Sequence, residues 1–298
     1  MYDIIIIGGG PAGMTAGIYA LRYKLSSMII TKVPGGTATE AHLVENYPGF
    51  SSLSGMELMM KFKEHFEALG GTIVNDEAKR IVKKEDRFVI DGERTYEARS
   101  VIIAVGSKRR KLNVKGEEEF LGKGVSYCAT CDGYFFREKT VCVIGGIDSA
   151  ASSAVHLSQM AKKVYLIYNE LQVEPYWQDM LEKENIELVK DTVHEIKGAE
   201  TVKSVVLSER ELEVEGVFIE TGSIPPKELA SALGVNTKKG YIVVDEGQKT
   251  NVSGIFAAGD ITTGSDELRQ IITSASEGAI AARSAFRYCK NNSPQKTF

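Results

Sequence analysis

Two cysteines separated by two residues, Cys128 and Cys131, are followed directly by the carboxylic acid Asp132. Two thiols at this spacing can close a small disulfide ring, and such pairs are efficient in thiol–disulfide exchange. An adjacent carboxylate can carry the proton that leaves a thiol when the disulfide forms. The alternative is half of a structural zinc site, but the sequence has no second C-x-x-C and no H-x-x-x-H to supply four ligands. The pattern predicts a redox-active disulfide and no metal centre.

A glycine-rich turn follows the first predicted strand, Asp3 to Ile7, and leads into a helix that opens at Pro11. The turn matches G-x-G-x-x-G at Gly8, Gly10 and Gly13. Such glycines allow a tight turn and the close approach of a pyrophosphate, to which the helix N-terminus presents its amides. The second predicted strand, Met28 to Thr31, ends without the acid that often binds the ribose. The pattern predicts a dinucleotide site whose adenosine contact is unassigned.

The same order of elements occurs a second time after the C-x-x-C. Thr140 to Ile144 is a predicted strand, followed by the turn Gly145-Gly146, a helix from Ser149 to Met160 and a strand from Val164 to Tyr168. This order is the outline of another nucleotide-binding βαβ unit.

The end of the chain returns to the pattern of the beginning. Two strands, the stretch A-A-G-D and a long helix are predicted at Tyr241 to Val244, Ile255 to Phe256, Ala257 to Asp260 and about Glu267 to Cys289. We therefore expect an α/β protein with two Rossmann-like three-layer domains. The first is made of residues 1–113 and 243–298, and residues 114–242 form an inserted domain that carries the C-x-x-C.

Composition excludes several classes of protein. The 298 residues are enough for two domains, and the net charge of −4 argues against a nucleic-acid binder. No apolar run approaches a membrane span, and the chain opens with a strand rather than a signal peptide. With four cysteines and no disulfide framework, we expect a cytoplasmic protein.

A basic run comprises Lys108, Arg109, Arg110, Lys111 and Lys115. We interpret it as a solvated face beside a linker, the alternative being a docking patch for an acidic protein.

Five motifs in order resemble the low-molecular-weight thioredoxin reductases over nearly the whole chain. They are G-G-G-P-A-G at Gly8, E-N-Y-P-G-F at Glu45, C-A-T-C-D-G at Cys128, G-I-F-A-A-G-D at Gly254 and L-R-Q-I at Leu268. The resemblance implies FAD in the domain formed by both chain ends and a redox disulfide on the inserted domain. It also implies a homodimer that serves cell redox homeostasis.

The resemblance assigns roles to individual residues. Gly8, Gly10 and Gly13 would hold the FAD pyrophosphate, Asn46 would lie close to the flavin, Asp260 would bond the ribityl chain, and Arg269 and Gln270 would sit at the polar edge of the isoalloxazine ring. The last helix would then direct its N-terminus, with its positive dipole end, towards the flavin.

The resemblance also implies the reaction. Reduced flavin would pass two electrons to the Cys128–Cys131 disulfide, with Cys131 nearer the flavin and Asp132 as acid and base, and the dithiol would reduce thioredoxin through a mixed disulfide. Tyr134 and Phe135 match the aromatic pair that binds thioredoxin, although a core role is an equal alternative. Which cysteine attacks the partner is left open by the sequence.

The second nucleotide turn departs from the family pattern. Relatives that use NADPH carry G-x-G-x-x-A, whereas Gly145 to Ala150 has the β-branched Ile147 where a glycine admits the pyrophosphate. The glutamate pair of the family's helix is replaced by Ser152 and Ser153. The family's H-R-R-x-x-x-R, which binds the 2′-phosphate, aligns with Tyr168 to Glu174.

The stretch from Tyr168 to Glu174 contains no arginine and carries two acids, Glu170 and Glu174. Repulsion in place of charge-assisted contacts should weaken NADPH binding on the order of a thousandfold or more. Ile147 argues against NADH as well. The chain therefore resembles the branch in which ferredoxin or a reduced deazaflavin feeds the flavin, and the basic run would suit an acidic ferredoxin.

Three other functions are compatible with the motifs. A flavin-dependent dithiol oxidase would use the same disulfide to pass electrons from a small dithiol to oxygen. A conventional NAD(P)H thioredoxin reductase would need an atypical site. A non-catalytic flavoprotein is disfavoured by the intact C-A-T-C-D.

Overall fold

The computed structural model describes residues 1–41, 43–182, 185–224, 229 and 232–292. The chain divides into two compact units. The outer unit comprises Met1–Lys108 and Pro225–Phe298, and the inserted unit is Arg109–Ile224.

Both boundaries differ from the expected 113/114 and 242/243, for a reason visible in the packing. Leu112 packs against the core of the inserted unit, whereas Leu229, Val235 and Ile242 belong to a core cluster of the outer unit. Apolar burial therefore places Leu112 with the inserted unit, and Leu229, Val235 and Ile242 with the outer one.

The α-helices are α1 (Pro11–Arg22), α2 (Gly55–Ala68), α3 (Ala129–Asp132), α4 (Asp148–Ser158), α5 (Pro175–Met180) and α6 (Ile271–Asn291). The strands are β1 (Tyr2–Ile7), β2 (Ser27–Ile30), β3 (Thr72–Val74), β4 (Arg80–Lys83), β5 (Phe88–Asp91), β6 (Thr95–Ile103), β7 (Lys108–Arg109), β8 (Val125–Ser126), β9 (Thr140–Ile144), β10 (Lys163–Tyr168), β11 (Ile186–Lys190), β12 (Val193–Gly198), β13 (Val202–Leu207), β14 (Glu211–Glu213), β15 (Gly216–Ile219), β16 (Ser223–Ile224), β17 (Thr237–Lys238), β18 (Tyr241–Ile242) and β19 (Ile255–Ala257). Short 3₁₀ segments occupy Gly36–Glu40, Gly133–Phe136 and Ser265–Glu267.

The outer unit is built on a sheet of order β3-β2-β1-β6-β5-β4, with β19 also pairing β6. Strands β3, β2, β1, β6 and β19 run parallel, and the β6-β5-β4 ribbon is antiparallel. Ile4, Ile5 and Ile6 are fully buried because helices and loops cover both faces of the parallel strands. Helix α1 packs closely on α6, where a Cβ on Gly278 would lie 2.1 Å from the backbone oxygen of Ala12.

The inserted unit repeats this plan. Its parallel sheet has the order β11-β10-β9-β15-β8, and β12-β13-β14 form a small antiparallel sheet. In both units a central strand leads through a glycine turn into a helix and then to the neighbouring strand. The predicted α/β class with two Rossmann-like domains is confirmed.

The structure corrects the start of the last helix and adds elements that were not predicted. Helix α6 begins at Ile271 rather than near Glu267, because Asp266 adopts a left-handed conformation with φ +50° and Gln270 is extended as the N-cap. Strands β12 and β14 and helix α5 were not predicted. No helix within the described ranges combines the length and apolarity that a membrane span requires.

Candidate redox and flavin sites

Cys128 and Cys131 form a disulfide in the inserted unit, with their Cα atoms 5.3 Å apart. Strand β8, which pairs parallel with β15, delivers the chain to the carboxyl edge of the sheet, and helix α3 begins directly after Cys128. Cys128 is the N-cap residue, and the Cys131 amide donates a hydrogen bond to its Sγ at 3.2 Å. The local fold thus closes the ring on one helical turn, and both cysteines are half-buried residues.

Ser126 connects the disulfide to the predicted acid. Its buried hydroxyl donates to Oδ2 of Asp132 at 2.5 Å and accepts a hydrogen bond from the Cys128 amide at 3.0 Å. A charge-assisted bond of this kind fixes the carboxylate beside the ring. Asp132 is therefore placed where it can hold a proton for the thiols, and Ser126 is a residue that the motif analysis missed.

Replacement of Ser126 by alanine should slow disulfide reduction about tenfold, because Asp132 loses a charge-assisted donor and its fixed orientation. Steady-state turnover measures the effect. Ser152→Ala, on the neighbouring helix α4, is the matched control, and equal turnover of the two variants would contradict a role for Ser126.

A second unpredicted residue supports the segment before the disulfide. Glu117 is 2% exposed and accepts hydrogen bonds from the amides of Leu112 at 2.9 Å and Asn113 at 2.7 Å. Tyr127, the residue before Cys128, donates its hydroxyl to the same carboxylate at 2.5 Å. The segment from Leu112 to Glu117 is therefore a fixed part of the inserted unit.

The aromatic residues after the C-x-x-C divide into two roles. Tyr134 is 66% exposed and Phe135 is 42% exposed, whereas Phe136 is buried and packs edge-on against Phe218 at 5.2 Å. The alternative of a core role for Tyr134 and Phe135 is therefore not supported, since both side chains are exposed, and Phe136 is the core residue of this segment.

In the outer unit, the first glycine turn has the shape that a dinucleotide requires. A Cβ on Gly8, which has φ +113°, would lie 2.1 Å from the oxygen of Ala104, and a Cβ on Gly13 would lie 1.9 Å from the oxygen of Gly8. At Gly10, by contrast, the nearest atom among the described residues would be the Gly35 oxygen at 3.8 Å. Two glycines thus serve close packing, and the third leaves the loop and the N-terminus of α1 open to an anion.

The A-A-G-D stretch is held against helix α6. Oδ1 of Asp260 accepts a hydrogen bond from Ser274 at 2.9 Å. The buried Glu277 accepts three more, from the Gly259 amide at 2.7 Å, from Thr262 at 2.9 Å and from Ser265 at 2.6 Å. The signal for Glu277 was that it is the one acid in the sequence of helix α6, and its position fixes the loop that carries Asp260.

Three further predicted residues lie around the start of α6. Asn46 donates its side-chain amide to Oε1 of Gln270 at 3.1 Å, and the guanidinium of Arg269 lies 4.2 Å from the ring centroid of Tyr241. Nε of Arg269 is buried and has no hydrogen-bond partner among the described residues, so it can donate to an acceptor of a bound group. This unused donor and the open Gly10 fit FAD, which Gly8, Gly10, Gly13, Asp260, Asn46, Arg269 and Gln270 would hold.

The second glycine turn has the same backbone plan and a different surface. Gly145 has φ +155°, and the amide of Gln172 donates to the Gly146 oxygen at 2.7 Å, as Gly35 does to Gly9 in the first turn. The side chain of Ile147, however, is 43% exposed at the position that corresponds to Gly10. Asp148 occupies the first turn of α4 and accepts the Glu174 amide at 2.9 Å, which places a carboxylate where a phosphate would bind.

The two remaining cysteines, Cys142 and Cys289, are buried, and burial raises the pKa of each thiol. They therefore stay protonated and unreactive at neutral pH. Within the described part of the chain, no group of three or more potential ligands could hold a metal ion.

Two α/β units of this topology, one open to a dinucleotide and the other bearing a disulfide, define a flavoprotein disulfide oxidoreductase. The sequence model described as pyridine nucleotide-disulphide oxidoreductase matches residues 2–279. The chain is 42% identical to the thioredoxin reductase of Listeria monocytogenes over 97% of its own length and 94% of the relative's. The chain belongs to the low-molecular-weight, FAD-dependent thioredoxin reductase family, and it is an oxidoreductase.

Solved structures agree with this assignment. The thioredoxin reductase of Streptococcus pyogenes matches with a TM-score of 0.92 and 38% identity, covering 98% of this chain and 99% of that one. A ferredoxin-flavin thioredoxin reductase from Clostridium acetobutylicum matches with a TM-score of 0.56 and 35% identity, covering 97% of this chain and 98% of that one.

Proposed function

We propose that the chain reduces a thioredoxin-type protein disulfide through Cys128 and Cys131, with FAD as its flavin and a donor other than NADPH or NADH. When bound, FAD supplies a carrier that takes two electrons from a donor and makes them available to a disulfide. The disulfide accepts them with cleavage of the Sγ–Sγ bond, and Asp132, held by Ser126, carries a proton to or from the thiols. The exposed Tyr134 and Phe135 supply an apolar surface for the protein partner.

The difference between the two glycine turns carries the proposal for the donor. The two turns share a backbone plan. The first is open at Gly10, whereas the second is covered at the corresponding position by the exposed side chain of Ile147. A pyrophosphate can approach the first backbone and is kept from the second. The inserted unit thus retains the nucleotide-binding topology without a surface that fits the nucleotide.

Charge supports the same conclusion. Asp148 lies at the N-terminus of α4, and Glu170 and Glu174 follow β10, where a 2′-phosphate would otherwise meet basic residues. Repulsion at both ends of the nucleotide should reduce the affinity for NADPH by several orders of magnitude more than the loss of one contact would.

The basic run contributes less to donor recognition than its sequence indicated. Lys111 forms an ion pair with Glu118 at 2.6 Å, and Lys115 forms one with Glu195 at 2.6 Å. Arg109 and Arg110 are exposed, and the side chain of Lys108 lies outside the described residues. We favour ferredoxin or a reduced deazaflavin as the donor because of the altered turn and the relation to a ferredoxin-flavin enzyme, rather than because of this run.

Anaerobic stopped-flow absorbance of the flavin tests the donor. We expect reduced ferredoxin or a reduced deazaflavin to bleach the oxidised band rapidly, and NADPH or NADH to bleach it at least about a thousandfold more slowly at equal concentration. Dithionite gives the amplitude of complete reduction. Rapid bleaching by either pyridine nucleotide would make this a conventional reductase and would refute the proposal.

The remaining features of the proposal follow the family. We propose a homodimer in the cytoplasm that maintains protein thiols. Size-exclusion chromatography with light scattering tests the dimer, and a monomer at micromolar concentration would contradict it.

A further inference from the structure

One buried carboxylate of the inserted unit has no part in the mechanism above. Glu220 follows β15 at the carboxyl edge of the parallel sheet and is 9% exposed. The backbone amide of Glu220 donates a hydrogen bond to the Ile144 oxygen at 2.8 Å. The backbone oxygen of Glu220 would lie 2.3 Å from a Cβ on Gly145. The side chain therefore originates beside the second glycine turn, in the interior of the unit.

The Glu220 carboxylate faces the redox motif. Oε1 accepts a hydrogen bond from the hydroxyl of Ser153 on α4 at 3.1 Å. Strand β15 pairs parallel with β8 with Phe218 opposite Ser126, so Glu220 lies two residues beyond this pair on the side where Cys128 and Ala129 follow β8. The backbone amide of Ala129 favours the charged carboxylate. Ala129 is itself buried, so this contact with the backbone of the disulfide ring is shielded from water. Ser153 stands where the family pattern has a glutamate, and the acid reaches this place from the sheet instead.

The surroundings of Glu220 contain few other charges. Arg109 attracts it from β7, while burial raises the pKa of the carboxyl and Arg109, Ser153 and Ala129 oppose this rise. The titratable groups on helices α3 and α4 include Asp132, which is bound to Ser126, Asp148, which accepts the Glu174 amide, and His156, whose Nε2 would lie 3.7 Å from a Cβ on Gly133. Glu220 is thus a shielded carboxylate against the ring that closes between Cys128 and Cys131.

We propose that Glu220 is a positioning residue whose negative charge lowers the reduction potential of the Cys128–Cys131 disulfide. Reduction breaks the Sγ–Sγ bond, takes up two electrons and takes up two protons at low pH, or one proton where one thiol remains a thiolate. A carboxylate in contact with the ring disfavours that thiolate, so the reduced pair is less stable and gives up its electrons to a partner disulfide more readily. This inference rests on the proposed redox role of the pair.

Equilibration of the holoenzyme with mixtures of reduced and oxidised dithiothreitol measures the effect. The dithiol is oxidised to its cyclic disulfide as the protein pair is reduced, and alkylation after acid quenching counts the thiols. In Glu220→Gln, which keeps the size and can still accept both hydrogen bonds, the equilibrium at about pH 8 should move about tenfold towards the reduced pair. That change corresponds to a potential about 30 mV more positive.

The pH dependence distinguishes a charge effect from a structural one. The difference between wild type and Glu220→Gln should disappear below the pH at which Glu220 is protonated and grow as the pH rises. Glu213→Gln removes an exposed carboxylate of the same unit and should stay within about twofold of wild type. Ser153→Ala, which removes only the hydroxyl, should move the onset of the wild-type effect to higher pH, because a donor to the charged form is lost.

Each result decides the question. No difference, or a difference that is constant from about pH 5 to pH 9, would overturn the role of Glu220 while leaving the redox pair intact. If Glu220→Gln does not fold, a pH profile of the reduction potential that is the same in Ser153→Ala and in wild type overturns it. A wild-type pair that does not titrate reversibly with dithiothreitol would refute the proposed function itself.

Discussion

A Cys131→Ser variant should retain its flavin and should still be bleached by dithionite, yet it should reduce a thioredoxin disulfide at least about a thousandfold more slowly than wild type. Exchange with a protein disulfide needs two thiols, one to attack and one to release the mixed disulfide, and a single thiol can perform only half of this cycle. The same loss is expected for Cys128→Ser, because both sulfurs belong to one ring. Insulin precipitation coupled to thioredoxin, with the proposed donor, measures the turnover.

The two single variants also identify the attacking cysteine, which the structure leaves open. The variant that retains the attacking thiol should accumulate a covalent complex with a single-cysteine thioredoxin whose thiol has first been converted to a mixed disulfide with thionitrobenzoate, and each complex should release one thionitrobenzoate as the leaving thiol. Cys289→Ser is the matched control, since burial raises the pKa of that thiol and its loss should not affect turnover. Appreciable turnover in either Cys128→Ser or Cys131→Ser would show that the electrons take another route.

The features that were predictable from sequence are those encoded within a few neighbouring residues. The first turn carries its three motif glycines within six consecutive residues, Gly8 to Gly13. These glycines determine its backbone conformation, because Gly8 needs φ +113° and Gly13 has no room for a side chain. The parallel strands were recognisable from runs such as Ile4 to Ile7, which are apolar on both faces. The C-x-x-C is equally local, since one turn of helix closes its ring.

Contacts made across the fold could not be predicted in this way. Ser126 meets Asp132 only because α3 turns back on the end of β8, and Glu220 meets Ala129 because β15 and β8 are neighbours in the sheet. An acid that ends the apolar run G-V-F-I-E was a usable signal for Glu220, whereas nothing marked Ser126. The ion pairs of the basic run were unpredictable for the same reason, since the partner of Lys115 is 80 residues away.

Substitution of Gly10 by isoleucine should abolish FAD binding without unfolding the protein, because it copies the second turn of the chain into the first. Gly10 has φ −76° and ψ −171°, close to the φ −117° and ψ 173° of Ile147, so its backbone is extended and accepts a β-branched residue. A Cβ there would meet no described atom nearer than the Gly35 oxygen at 3.8 Å. The added side chain would therefore occupy the space of the pyrophosphate rather than that of the protein, and FAD affinity should fall by at least about a thousandfold.

Flavin-stripped wild type and the variants Gly13→Ile and Ile147→Gly serve as comparisons for Gly10→Ile. Purified Gly10→Ile should lack the flavin spectrum and should match flavin-stripped wild type in circular dichroism and Tm, since loss of a bound ligand alone lowers the stability of the holoenzyme. Gly13→Ile should fail differently, by misfolding, because a Cβ there would lie 1.9 Å from the Gly8 oxygen. Ile147→Gly opens the second turn, yet it should not create NADPH binding, because Asp148, Glu170 and Glu174 remain. Stoichiometric FAD in Gly10→Ile would show that the first turn does not hold the pyrophosphate, and tight NADPH binding by Ile147→Gly would show that one side chain, rather than the charge of the site, excludes the nucleotide.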